Sequence, residues 1–127
     1  MFQAQVFTLY PEFFPGPLAK GLYGKALSNK LWNLNVVNIR DAATDKHKTV
    51  DDTPYGGGTG MLLKPDILAK SIDQRVKKDE RIFYLSPRGK KFDQKFAKDL
   101  SDSIPRLDKE LDSHSRNLVF SFLHLST

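Results

Sequence analysis

Apolar and polar positions along the chain predict strands and helices in alternation. Gln3 to Leu9 alternates weakly and carries Val6, Phe7 and Leu9, which predicts a first strand. Pro11, Pro15 and Pro17 then interrupt regular structure, with Phe13 and Phe14 expected to tuck against the core. Leu18 to Ser28 puts Leu18, Leu22 and Ala26 (with Leu27) on one helical face, and Asn29 reads as the helix end. Leu31 to Ile39 predicts a second strand, ending at Arg40-Asp41. The stretch 40–61 reads as a long polar loop with no element of its own. Pro65 suits a first helical turn, and Ile67, Leu68, Ile72 and Val76 keep helical spacing through about Lys78. Arg81 to Leu85 is a third strand and Ser86 to Gly89 a turn. A helix over Lys91 to Leu100 follows, with Phe92, Phe96 and Leu100 at i, i+4 and i+8.

Strand and helix in turn is the pattern of an α/β fold, a mainly parallel sheet flanked by helices. Ligands of such sheets bind beyond the carboxyl ends of the strands. The loops at 40–61 and 86–90 both follow strand ends, so both are expected at one edge of the sheet. After Ser101 the pattern breaks. DSIPRLDKELDSHSR is polar, and the closing NLVFSFLHLST reads equally as a strand or as an exposed apolar tail.

Composition narrows the class. A chain of 127 residues makes one domain with a modest core. It has no cysteine, which excludes disulfides and thiolate metal sites and fits a reducing compartment. The amino terminus lacks the pattern of a secretory signal, and no run of eighteen apolar residues occurs, so a cytoplasmic protein is expected. The net charge is +5, and Arg88, Lys90, Lys91, Lys95 and Lys98 crowd one stretch against a single acid, Asp93. Such a stretch suits a polyphosphate partner, and it also suits an ordinary solvated helix face.

Two motifs carry the candidate chemistry. In VDDTPYGGGTGM (Val50 to Met61), Gly56, Gly57, Gly58 and Gly60 follow Asp51, Asp52 and Tyr55. Four glycines so close together allow a ligand or a partner backbone to approach without side chains in the way. No Lys-Ser/Thr pair follows, so this is no NTPase phosphate loop. Asp51 or Asp52 could act as a general base, and either could instead orient the loop through its backbone N–H groups. Asp45, His47, Asp51 and Asp52 lack a second histidine nearby, so no metal is expected. The second motif is YLSPRG, Tyr84 to Gly89. A strand ending in Ser-Pro exposes backbone groups that can meet the edge of a planar heterocycle, with Tyr84 and Leu85 offering apolar contact.

In the order PEFF, NIRDAATDKHKTVDDTPYGGGTGM, YLSPRG and FDQ, the chain resembles the bacterial tRNA (guanine-N1)-methyltransferases from about Phe2 to Ser101. The resemblance implies a knotted (SPOUT-type) α/β fold and a homodimer. It implies methyl transfer from S-adenosylmethionine to N1 of the tRNA guanosine 3′ of the anticodon. Carried over by position, Tyr84, Leu85, Ser86, Pro87 and Gly89 would line the methyl-donor pocket. Asp51, Tyr55, Gly56, Gly57, Gly58, Gly60 and Arg88 would lie where the target guanosine and tRNA approach.

That family continues with a strand ending in Cys-Gly-Arg-Tyr/Phe-Glu-Gly, then with a Gly-Asp-Tyr…Ser-Gly-Gly-Glu segment. These form the knot, and a later linker supplies the catalytic aspartate. None of these stands in this sequence, so no residue here is assigned catalysis. The expected organisation is therefore residues 1–101 as the amino-terminal part of the methyltransferase domain, lacking the knot-forming half. Residues 102–127 follow as an aberrant tail, as a frameshift or truncated reading frame would produce. Guanine N1 must lose its proton before it attacks, so the chain alone is expected to be inactive. Two other readings stand beside this one: a non-catalytic basic RNA-binding or interaction module, and a degenerate gene product.

Overall fold

A computed structural model describes residues 2–47, 50–52, 62–78, 80–85, 89–103 and 117–121. Strand β1 (Phe2–Thr8) pairs in parallel with β2 (Trp32–Asn38), in the register Phe2 with Trp32 through Thr8 with Asn38. A short β3 (Asp51–Asp52) pairs antiparallel with β4 (Leu62–Leu63). Strand β5 (Arg81–Tyr84) and strand β6 (Asn117–Ser121) complete a four-stranded parallel sheet in the order β2-β1-β6-β5. The α/β class and the parallel sheet expected from the pattern are both present. The closing segment, left open between strand and tail, forms a strand over 117–121, and an interior one.

Helix α1 (Gly21–Ser28) precedes β2, α2 (Pro65–Asp73) precedes β5, and α3 (Gln94–Ser103) follows it. Ile67, Leu68, Ile72 and Val76 pack on the buried cluster of Phe7, Val37 and Ile39, together with Leu9 and Leu63. Phe83 instead meets Phe96 of α3 edge-on, with ring centroids 6.3 Å apart. The register sets Phe83 level with Phe120 and Val6, one residue out of phase with Phe7. Successive strand residues face opposite sides, so α2 and α3 cover opposite faces.

Several boundaries differ from the sequence reading, each for a local reason. The helix expected from Leu18 is split: Gly16–Ala19 is a 3-10 turn, the extended Lys20 separates it from α1, and Gly21, the first residue of α1, has φ +59°. The buried residue of α1 is Gly24, whose missing side chain lets the Ala19 backbone lie against it. Leu22, read on the apolar helical face, is 81% exposed, and Phe13, expected against the core, is exposed as well, stacked on Tyr10. Helix α2 ends at Asp73, and Val76 reaches the core from the following turn, its N–H donating to the Ile72 carbonyl at 2.8 Å. Helix α3 begins at Gln94 because the Asp93 carboxylate accepts from the Phe96 N–H at 2.8 Å, a cap at its start. Phe92 is thus left outside the helix, exposed against the Phe96 ring.

Candidate functional site

All four main strands run the same way, so their carboxyl ends form one edge. Tyr84 is level with Ser121, Ser121 with Phe7, and Thr8 with Asn38. Both loops singled out from the sequence leave the sheet there, from β2 and from β5. These are the two outermost strands, so three inter-strand spacings, roughly 14 Å, separate the loops' points of departure. The edge between them is formed by the ends of β1 and β6.

The loop from β2 is more ordered at its base than its composition suggests. A 3-10 turn, Ile39–Ala42, follows β2 directly, and the Asn38 side chain accepts from the Arg40 N–H at 3.0 Å. Ile39 and Ala42 are buried. Farther on, Asp51 pairs with Leu63 and Asp52 with Leu62, while the Lys64 N–H donates to the Val50 carbonyl at 2.6 Å. Val50 is buried and Leu63 packs on the core cluster. The glycine stretch therefore departs from and returns to a closed neck that is fastened to the core. Periodicity missed this neck because two residues are too few to alternate, although the apolar Val50 and Leu62-Leu63 bracketing a polar run hinted at it.

At the other end of the edge, Tyr84 and Leu85 are 54% and 41% exposed. Tyr84 is bare because α2 sits over β1 and β2, and β5 lies two strand spacings beyond β1. An uncovered tyrosine and leucine at a strand's carboxyl end fit one apolar wall for a flat ring system. Gly89 is exposed just beyond. Asp51 has its backbone in β3. Tyr55, Gly56, Gly57, Gly58, Gly60, Ser86, Pro87 and Arg88 lie outside the described residues. Lys90, Lys91, Lys95 and Lys98 are all exposed, and Lys90 Nζ stands 5.3 Å from the Phe96 ring centroid. Among the described residues no group of three or more His, Asp or Glu side chains could hold a metal ion.

Residues 2–105 match the family described as tRNA (Guanine-1)-methyltransferase TrmD. The chain belongs to this family. It is 75% identical over 101 residues to a tRNA (guanine-N(1)-)-methyltransferase of Pelagibacter ubique, an alignment covering 80% of this chain and 44% of that protein. It is 48% identical over 108 residues to one from Wolbachia pipientis, covering 84% of this chain and 46% of the relative. A Bartonella tribocorum protein of the same description is 52% identical over 101 residues, covering 80% and 43%. The chain thus spans less than half the length of the curated relatives it matches. TrmD methyltransferases use S-adenosylmethionine and act on tRNA.

Proposed function

We propose that these 127 residues are the amino-terminal part of a tRNA (guanine-N1)-methyltransferase of knotted fold, acting on the guanosine 3′ of the anticodon. In this reading Tyr84, Leu85, Ser86, Pro87 and Gly89 form one wall of the S-adenosylmethionine site. The donor supplies an electrophilic methyl group. Asp51, Tyr55, Gly56, Gly57, Gly58, Gly60 and Arg88 receive the target guanosine and tRNA, with a second copy of the chain close by. Residues 1–101 carry the family part and 102–127 are of other origin. The protein works in the cytoplasm; among the described residues no helix is long and apolar enough to cross a membrane.

The observation that carries the reading is the family match across both motifs, together with the bare apolar carboxyl end of β5. The same geometry supports a half-site. Tyr84 and Leu85 offer apolar contact, and in this reading no residue is assigned as the base that takes the guanine N1 proton or as the donor for charge building on O6. By themselves these 127 residues transfer no methyl group. Incubating them with unmodified tRNA and isotope-labelled S-adenosylmethionine tests this, and N1-methylguanosine in the product would refute it. Calorimetric titration with the donor asks separately whether the half-site binds.

A second reading, a non-catalytic RNA-binding module, is favoured by one observation: the four lysines at and before α3 all face solvent. Salt-sensitive retention of tRNA in a filter-binding titration, unchanged by the methyl donor, would support it over the half-site.

A further inference from the structure

Three aromatic rings lead from the sheet out to solvent beside the lysines of α3. Phe83 of β5 meets Phe96 of α3 edge-on at 6.3 Å, and Phe92 meets Phe96 in the same way at 5.6 Å. Phe83 and Phe96 are half-buried, whereas Phe92 is 66% exposed. An edge-to-face contact takes up at most one face of the Phe92 ring, so the other stays open. Lys90 Nζ, 5.3 Å from the Phe96 centroid, brings an ammonium group against the cluster. Lys91 and Lys95 flank the rings in sequence, and both are exposed. The one acid between Gly89 and Lys98 is Asp93. Its carboxylate accepts from the Phe96 N–H at the start of α3, where the helix dipole offsets its charge.

We infer that Phe92 is a stacking platform for an unpaired base of single-stranded RNA, with Lys90, Lys91 and Lys95 holding the flanking phosphates. The inference rests on the RNA-binding reading above and adds to it the residue and the chemistry of the contact. A nucleic-acid strand supplies flat apolar faces and negative charge along one chain, which matches an open ring among lysines. An acidic peptide would satisfy the lysines and leave the ring bare. An apolar helix would cover the ring and leave the ammonium groups without counter-charge. In a duplex the base faces are already stacked on one another, so the partner is an unpaired base. The platform is also a separate place from the methyl-donor wall. Phe83 and Tyr84 are successive residues of β5 and face opposite sides, so the rings lie on the α3 face and the bare Tyr84 on the other.

The test titrates the full chain into a fluorescently labelled oligoadenylate of roughly eight nucleotides and into an abasic strand of the same length. The unaltered chain should bind the oligoadenylate about ten-fold more tightly than the abasic strand. Phe92→Ala should remove that advantage and leave the abasic affinity as it was, while Phe92→Tyr should keep it. Lys91→Ala should weaken both strands alike and flatten the logarithmic salt dependence by roughly 0.7. Salt-sensitive binding with no preference for bases overturns the platform and leaves the RNA-binding reading standing. An equal weakening of both strands by Phe92→Ala does the same. No salt-sensitive binding of either strand removes that reading, and the inference with it. Should Phe92→Ala unfold the chain, the unaltered protein decides by NMR. Oligoadenylate should move the Phe92 ring protons upfield, and a Phe92 ring left unmoved overturns the inference.

Discussion

The β1–β2–α2 region and the β5–α3 region are built to the same plan, parallel strands with a helix against them, yet they differ sharply in burial. The first holds Phe7 and Ile39 with no exposed surface, and Val50 close to that. The second has no fully buried side chain among its described residues, and Ile82, Tyr84, Leu85 and Phe92 stand out into solvent. Strand geometry is not the cause, because register and direction are common to both. The cause is cover. Helix α2, the 3-10 turn after β2 and the Val50–Leu63 neck close over β1 and β2, and nothing among the described residues does the same for β5 on that face.

Removing Phe7, by Phe7→Ala, should be the most damaging change. It leaves a void in a fully buried cluster and costs about 3–5 kcal/mol, read as a lowered urea midpoint at unchanged slope. A loss below about 1 kcal/mol would mean the two regions are equally loose. Asp93→Ala should cost about 1 kcal/mol, because it frees the Phe96 N–H at the start of α3. Exchange protection should fall in α3 and stay as it was in α2. Ile39→Val takes one methylene from the core and should cost about 0.5–1.5 kcal/mol by thermal unfolding. Tyr84→Ala should change stability by less than about 0.5 kcal/mol, since the ring is half exposed. If the donor half-site is real, the same variant should weaken S-adenosylmethionine binding in calorimetry while the unfolding curve stays in place. A large stability loss with no effect on donor binding would make Tyr84 a packing residue.

Much of this was legible before any coordinates. The strands at Phe2–Thr8, Trp32–Asn38 and Arg81–Tyr84 fall within a residue of the spans read from Val, Ile and Phe, because β-rich runs bounded by proline and polar turns signal themselves locally. Helix α2 was plain from Pro65 and its apolar spacing. The order of PEFF, the NIRD-to-glycine stretch, YLSPRG and FDQ pointed to the family. The face of α1 was misjudged, because a Leu-Leu-Ala spacing cannot reveal that Gly21 restarts the helix and that Gly24 is the residue in contact.

What the sequence determined by itself is the main strands and helices through α3, their parallel pairing class and the family, since each rests on local pattern and motif. What only the tertiary structure decided is where strands from distant parts of the chain sit side by side. The neck of two residues on each arm, which fastens the glycine stretch to the core, carries no periodicity to read. The place of 117–121 between β1 and β5 depends on which rows of backbone groups remain unpaired once the rest has folded. Hydrogen-bonding demand of that kind belongs to the assembled sheet, and no single segment records it.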